Sequence, residues 1–271
     1  MSENKKRKNR RRKKSKFDFY GFVIKIAGSV STTALILILI SSSWQFIQNP
    51  FLVLASVTND LPKTHKQTWN EFGAIFTENE TTHLPSTFLA ALAQTESSGR
   101  QWTSSDWTFS VDRGPLKLLA PESTSFGLMQ FTKPTFELAK DYCVNGTKVE
   151  QSKPWYMLDG CWFTSLKTRA SASDSIEIAA AYLQNYINQE IIYKKRSVSK
   201  RNAQRFAAIT HLCGVGVARK FVRNNFFISQ RTKCGSHDLS YYLKRVFKNK
   251  RAFDTIESKL FAMNESKKTA Y

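Results

Sequence analysis

Apolar residues recur with a helical period along most of this chain. The strongest pattern runs from residue 174 to residue 196, where it predicts a long helix with a capping box formed by Asp174 and Glu177. Similar patterns predict helices over 64–76, 135–142, 203–211, 217–227, 238–247 and 254–263. Because no segment of any length alternates apolar and polar residues with the period of a strand, we predict a mainly α fold.

The segment from Leu84 to Gly99 predicts a helix that carries one carboxylate on its apolar face. At about 100° per residue, Glu96 falls in the middle of an arc of about 140° that is otherwise formed by Pro85, Phe88, Leu89, Leu92 and Ala93. A buried carboxylate is costly unless it is paired or neutral. Since a neutral carboxyl carries a proton, Glu96 is a candidate general acid.

A basic run and a long apolar segment open the chain. Residues 1–16 hold ten Lys or Arg and one acid, and we expect them to form a disordered tail in the cytoplasm. Residues 17–45 then predict a transmembrane anchor, because a span needs about 20 mostly apolar residues. The positive-inside rule places everything after residue 45 across the membrane. A cleaved signal peptide is the competing interpretation, although the basic run is long and no clear cleavage site follows.

Charge and cysteine content add two expectations. The net charge is +20, and +11 remains after residues 1–16 are set aside, which indicates an anionic partner such as nucleic acid, a membrane surface or a wall polymer. The cysteines show no CxxC spacing and no close His pairs, so we expect no metal site. In an exported domain the four cysteines allow three disulfide pairings, and we favour the sequence-local one over free thiols: Cys143 with Cys161 and Cys213 with Cys234.

Two motifs carry a resemblance to a known family. Glu96-Ser97, followed by the Ser-Phe-Gly-Leu-Met-Gln run at 125–130, resembles the signature motifs of lytic transglycosylases with an SLT-type, goose-type lysozyme-like catalytic domain. The Tyr-Leu-Lys-Arg-Val run at 242–246 resembles a later element of that family. The resemblance implies a mainly α, lysozyme-like domain at 64–252, after a linker at 46–63 and before a C-terminal helix or tail at 253–271.

The resemblance also implies a reaction that needs no cofactor. Glu96 would protonate the glycosidic oxygen between N-acetylmuramic acid and N-acetylglucosamine. It would then accept a proton from the muramic 6-hydroxyl, giving a 1,6-anhydro end. The substrate-binding residues implied are Ser97, Ser125, Gly127, Met129, Gln130, His211 and Tyr242. Met129 and Tyr242 also fit ordinary core positions, and Ser125 fits a turn.

The third motif departs from the family pattern. The family usually has Ala-Tyr-Asn-Ala-Gly-x-Gly where this chain has Thr-His-Leu-Cys-Gly-Val-Gly at 210–216. His211 can still bond or stack on a sugar, but Leu212 cannot replace the hydrogen bonds of an Asn. We therefore expect a changed substrate geometry at this loop.

These expectations combine into a single-pass inner-membrane protein with its catalytic domain in the periplasm or facing the cell wall. The expected partners are peptidoglycan glycan strands, the inner membrane and envelope-spanning machinery, while nucleic acid is not expected. One alternative is a hydrolytic muramidase of the same fold, with Asp106 or Asp112 as a second carboxylate. Others are a glycan-binding or assembly module with impaired catalysis, and a membrane-tethered nucleic-acid binder suggested by charge alone.

Overall fold

The computed structural model describes residues 19–58, 60–154, 156–157, 161, 164–229 and 231–268. Side chains are described from residue 31 onward, except those of 264, 267 and 268. The basic tail expected at residues 1–16 lies outside the described residues.

Helices make up most of the described chain. They are α1 Phe19–Gln48, α2 Pro50–Val57, α3 His65–Glu78, α4 Ser86–Ser97, α5 Lys133–Ala139, α6 Ala172–Ile187, α7 Lys200–Cys213, α8 Val215–Arg223 and α9 Leu239–Lys268. Short strands form two-stranded sheets: β1 Trp107–Phe109 with β2 Leu119–Pro121, β3 Tyr142–Asn145 with β4 Lys148–Gln151, and β5 Lys233–Cys234 with β6 His237–Asp238. The mainly α class is therefore confirmed.

The chain divides into two compact units. The first contains the chain up to residue 45 together with residues 109–120, and the second contains 46–108 and 121–271. Within the first unit, the Ser41 hydroxyl donates to the Leu119 carbonyl at 3.3 Å, and the Gln45 amide donates to the Leu116 carbonyl at 3.3 Å. The apolar side chains of α1 from Leu35 to Ile40 are largely exposed, Leu35 by 62%.

The predicted transmembrane span is only partly supported. Among the described residues, no single helix has both the length and the apolar content to cross a membrane on its own. The bent pair Ser31–Gln48 and Pro50–Val57 meets these two criteria jointly.

Helix α4 forms the centre of the second unit. Every residue from Phe88 to Ala93 is 0% exposed, because α4 is covered by α3 on one side and α9 on another. Helices α6 and α7 complete this core with Ile176, Ala180, Leu183, Phe206, Ala207 and Ile209. A smaller cluster joins Leu52 and Ala55 of α2 to Phe126 and Ala170, so part of the expected linker packs onto the domain.

Three details of the predicted secondary structure were wrong. The N-cap of α6 is Ser171, whose hydroxyl accepts from the Asp174 amide, so Asp174 and Glu177 form no capping box. The two helices expected after residue 238 are one helix, α9. Strands are present as short antiparallel pairs, and the two-residue loop between β3 and β4, Gly146-Thr147, begins with a glycine, which tight hairpin turns favour.

The C-terminal part of α9 belongs to the core. Phe253 is 0% exposed and its ring lies 5.1 Å from His65 and 5.8 Å from Trp69. Residues from 253 onward, where we expected a C-terminal helix or tail, therefore continue α9, and Phe253 packs in the core.

Both predicted cysteine pairs lie at disulfide distance. Cys143 is bonded to Cys161 and Cys213 to Cys234, with Cα–Cα distances of 6.0 Å and 5.3 Å. The second bridge ties the end of α7 to β5.

Candidate active site

Glu96 lies in the last turn of α4. The helix ends because Ser98 and Gly99 adopt left-handed conformations, with φ of 56° and 73°. At Gly99 a Cβ atom would lie 2.1 Å from the Thr68 hydroxyl oxygen, so only glycine fits there. The Glu96 side chain is 15% exposed, which leaves it enclosed by protein but open to a ligand.

Tyr242 of α9 holds the Glu96 carboxyl. Its hydroxyl donates to Glu96 Oε1 at 2.5 Å. Burial, followed by the charge and the hydrogen bond of Glu96, raises the pKa of Tyr242 well above its ordinary value. Tyr242 therefore stays protonated and acts as a donor over the physiological pH range.

Two further residues of α9 fix the end of α4. Arg245 donates to the Thr95 carbonyl at 3.1 Å, and Asn249 donates to the Thr95 hydroxyl at 2.9 Å. Tyr242, Arg245 and Asn249 lie three and four residues apart, so they share one face of α9. Because Thr95 precedes Glu96 directly, these bonds fix the backbone from which the carboxyl projects.

His211 of α7 approaches the same carboxyl oxygen. Its Nε2 atom lies 3.5 Å from Glu96 Oε1, and its ring packs edge-on against Phe131 with centroids 5.2 Å apart. The His211 side chain is 4% exposed, and its buried Nδ1 atom has no hydrogen-bond partner among the described residues. A proton on Nε2 gives the better arrangement, since it leaves an unpaired acceptor at Nδ1 and a donor facing Glu96.

The two oxygens of Glu96 therefore have different environments. Oε1 faces both Tyr242 and His211, whereas Oε2 has no hydrogen-bond partner among the described residues. An arrangement of this kind fixes the carboxyl through one oxygen and leaves the other to exchange a proton.

The predicted Gly-Leu-Met-Gln motif forms a tight turn between Phe126 and Phe131. Phe126 N–H donates to the Phe131 carbonyl at 3.2 Å, and Gly127 has a φ of 83°. A Cβ at Gly127 would lie 2.4 Å from the Arg169 carbonyl oxygen, so the glycine permits a close approach of two backbones. The Arg169 guanidinium donates to the carbonyls of Thr124 and Phe131, at 2.5 Å and 2.9 Å.

The other predicted binding residues fall into two groups. Met129 is 0% exposed and Ser97 is 1% exposed, with its hydroxyl donating to the Ala93 carbonyl at 2.9 Å. Neither offers surface to a sugar, because both lie in packed parts of the domain. Ser125 and Gln130 are half-buried, but Ser125 bonds the Ser123 hydroxyl at 2.5 Å rather than Glu96.

Gln130 uses its side chain to hold the turn. Its amide donates to the carbonyls of Thr103 and Gly127 at 3.0 Å and 2.8 Å. These bonds leave its amide oxygen for a ligand, since no described residue donates to that atom.

The two residues of the third motif that differ from the family pattern contact different parts of the domain. His211 points at Glu96, whereas Leu212 is half-buried and packs against the main core. The disulfide of Cys213 lies two residues from His211 and restrains the end of α7. The changed residue that reaches the site is thus the histidine.

The predicted second carboxylates are not bonded to Glu96. Asp106 is exposed and lines a pocket that does not include Glu96, together with Asp60, Arg100 and Trp102. Asp112 belongs to the 109–120 segment of the other unit. Among the described residues, those within hydrogen-bond or ion-pair distance of Glu96 are Tyr242 and His211.

Sequence reasoning missed the residues that support the site. Arg245 was part of the quoted 242–246 run but had no assigned role, and Asn249 and Arg169 had no signal beyond their polarity. All three bond backbone or side-chain groups that are close only in the folded chain.

Comparison with known proteins gives one family match. Residues 73–194 match the family described as the transglycosylase SLT domain. The matched region contains Glu96 and the 126–131 turn but ends before His211 and Tyr242. No curated protein matches the chain.

Proposed function

We propose that this chain, whose residues 73–194 are a transglycosylase SLT domain, is a membrane-anchored lytic transglycosylase of peptidoglycan. The family match supports a peptidoglycan-degrading activity of the lytic transglycosylase type. The proposed reaction, with one residue as acid and then base, rests on the single carboxyl of Glu96. This side chain is 15% exposed and is bonded through one oxygen to Tyr242.

The first step is proton donation. Protonated Glu96 donates to the glycosidic oxygen that links N-acetylmuramic acid to N-acetylglucosamine, and the bond from that oxygen to the muramic C1 breaks. Positive charge develops on the muramic ring as this bond breaks. Tyr242 and His211 stabilise the carboxylate that Glu96 becomes, since both face Oε1.

The second step returns the proton. The Glu96 carboxylate accepts the proton of the muramic 6-hydroxyl, whose oxygen attacks C1 and closes a 1,6-anhydro ring. One carboxyl serves as acid and then as base, so the scheme needs neither a second carboxylate nor an attacking water. This fits a site in which Tyr242 and His211, rather than an Asp or Glu, face Glu96.

The anchor and the location are part of the proposal. The exposed apolar side chains of α1, the first helix of the bent pair, and the basic run before it support an inner-membrane anchor with its N-terminus in the cytoplasm. The catalytic domain then faces the cell wall, where glycan strands and envelope-spanning machinery are available.

Product analysis tests the reaction. The full chain in neutral detergent is incubated with purified peptidoglycan, and soluble products are identified by mass spectrometry. Anhydro-muramic ends are expected. Reducing muramic ends would show a hydrolytic muramidase instead, because water would have taken the place of the 6-hydroxyl.

A glycan-binding module is the second candidate, and the changed third motif favours it. Leu212 supplies no hydrogen bonds and packs against the core, so one wall of the family's cleft lacks a polar group. Retained binding of glycan strands without any product would establish this candidate and reject the enzyme.

A further inference from the structure

A basic groove lies between α7 and α9. Its volume is about 670 Å³, and five cationic side chains line it: Arg201, Arg205, Lys244, Lys248 and Arg251. Its floor is apolar and includes Leu243 and Phe247. At about 100° per residue, its α9 residues lie roughly half a turn away from the face that carries Tyr242. The groove is therefore separate from the Glu96 site.

The cations of this groove lack acidic partners. Among the described residues, no Asp or Glu lines the groove or forms an ion pair with any of the five. In a second groove of the domain, part of the cationic charge is neutralised. Glu190 pairs with Lys194 and Arg219, for example, at 2.5 Å and 2.8 Å.

The concentration of charge is unfavourable to the folded protein by itself. Arg201 and Arg205 are one helical turn apart on α7, and like charges at this spacing destabilise a helix. Burial and the neighbouring charge of Arg201 lower the pKa of Arg205. A bound anion would relieve this repulsion, so the groove has the electrostatics of a binding site.

Two of the guanidinium groups are held in place before any ligand arrives. Arg201 lies over the Phe247 ring at 5.7 Å, and Arg205 lies over the Phe221 ring at 4.9 Å. Arg205 also donates to the Asn202 side chain and to the Phe226 carbonyl, each at 3.3 Å. Such restraint reduces the side-chain entropy that would be lost on binding.

We propose that the groove between α7 and α9 binds a glycerol phosphodiester anion. The donors come from two helices on either side of the groove, which suits the non-planar oxygens of a phosphodiester better than a planar carboxylate. The apolar floor at Leu243 and Phe247 suits the carbon atoms of the glycerol. A phospholipid headgroup and a polyol-phosphate polymer of the cell wall both carry this chemistry.

The test measures binding to the full chain in neutral detergent by isothermal titration calorimetry. The probes are a glycerol phosphate oligomer, short-chain phosphatidylglycerol, an oligoglutamate of the same charge as the oligomer, and a short duplex DNA. A triple variant removes three cations of the groove: Arg201→Gln, Lys244→Gln and Lys248→Gln. A matched triple variant removes three exposed lysines elsewhere: Lys66→Gln, Lys148→Gln and Lys259→Gln.

We expect the phosphodiester probes to bind and the groove variant to weaken that binding at least tenfold. The matched variant should change it less than twofold, and raised salt should weaken it because the charges are exposed. Tighter binding of the lipid assigns the source to a headgroup, and tighter binding of the oligomer assigns it to a wall polymer.

Three results would overturn the proposal. Equal losses in both triple variants would show only diffuse attraction to a basic protein. Oligoglutamate binding as tightly as the oligomer would remove the phosphodiester from the assignment. Tighter binding of duplex DNA through Arg201, Lys244 and Lys248 would assign the groove to nucleic acid instead.

Discussion

The hydrogen bond from Tyr242 to Glu96 gives the sharpest prediction. Tyr242→Phe removes the hydroxyl that donates to Oε1 at 2.5 Å and keeps the ring that fills the buried space. A hydrogen bond contributes about 0.5–1.5 kcal/mol between neutral groups and about 1.5–3 kcal/mol to a charged one. We therefore expect the free energy of unfolding to fall by roughly 1–3 kcal/mol.

The same bond should matter for turnover. It stabilises the carboxylate that forms when Glu96 gives up its proton, and 1.36 kcal/mol corresponds to about a tenfold change in rate. We expect peptidoglycan solubilisation to slow by roughly tenfold to a hundredfold. Tyr241→Phe is the matched control, because Tyr241 is the next residue of α9 but is 64% exposed.

The raised pKa of Tyr242 adds a pH signature. Above the ordinary tyrosine pKa of about 10, the unfolded chain releases the Tyr242 proton while the folded chain retains it. The stabilisation is thus complete below this pH and is lost as the pH rises, at about 1.4 kcal/mol per pH unit. Denaturant unfolding between pH 9 and pH 11 should show a shallower decline for Tyr242→Phe than for the parent chain.

Equal behaviour of the two tyrosine variants would refute this reasoning. If Tyr242→Phe unfolds with the same free energy and pH slope as Tyr241→Phe, the bond to Glu96 contributes nothing. If stability falls but turnover does not, Tyr242 is structural only.

Three further changes have defined outcomes. Gly127→Ala should lower the free energy of unfolding by at least about 2 kcal/mol, because its Cβ would lie 2.4 Å from a carbonyl oxygen at a φ of 83°; thermal unfolding measures this. Glu190→Gln should destabilise the domain, because hydrogen bonds from Lys194 and Arg219 outweigh burial and lower the pKa of Glu190. Its contribution is present above the ordinary carboxyl pKa and is lost as the pH falls through the lowered one, so the two chains should converge in stability in acid. Replacing both Cys213 and Cys234 by Ala should lower stability by about 2–4 kcal/mol and also slow turnover, since the bridge restrains α7 beside the site.

Each of these changes has a control in the chain. Gly216→Ala should be neutral or stabilising, because Gly216 is helical and a Cβ there meets nothing within 4 Å. Glu78→Gln removes an exposed carboxylate that forms no ion pair among the described residues, so it should lower stability far less than Glu190→Gln. Replacing Cys143 and Cys161 by Ala should lower stability without slowing turnover at a temperature where the domain is folded. A turnover loss equal to that of the Cys213 and Cys234 variant would show that restraint near His211 has no particular effect on turnover.

Helical periodicity predicted most of the fold because the core is built from helix faces. The stripe of α6 lies in the core as expected, and the apolar arc around Glu96 is also buried, within a helix that is covered on every side over 88–93. The break expected between 247 and 254 does not occur, because Lys250 bonds Asp254 across the polar stretch and Phe253 is anchored in the core. The long-range packing of Phe253 therefore outweighed the helix break that the local polar run predicted.

The site was predictable only in part. Glu96 stood out because one carboxylate interrupted an apolar face, and the resemblance pointed to Tyr242. Their hydrogen bond joins residues 146 positions apart, and neither periodicity nor spacing reports such a contact. The position of His211 beside Glu96, with an unpaired Nδ1, likewise required the packing of α7 against Phe131.

The role of Glu96 is tested most directly by one substitution. Peptidoglycan is digested with the full chain, with Glu96→Gln and with Glu78→Gln, and the released anhydro-muropeptides are quantified by mass spectrometry. The proposed mechanism predicts release by the parent chain and by Glu78→Gln, and none above background by Glu96→Gln. Release by Glu96→Gln at the parental rate would contradict it, because the mechanism assigns the proton transfer to Glu96 alone.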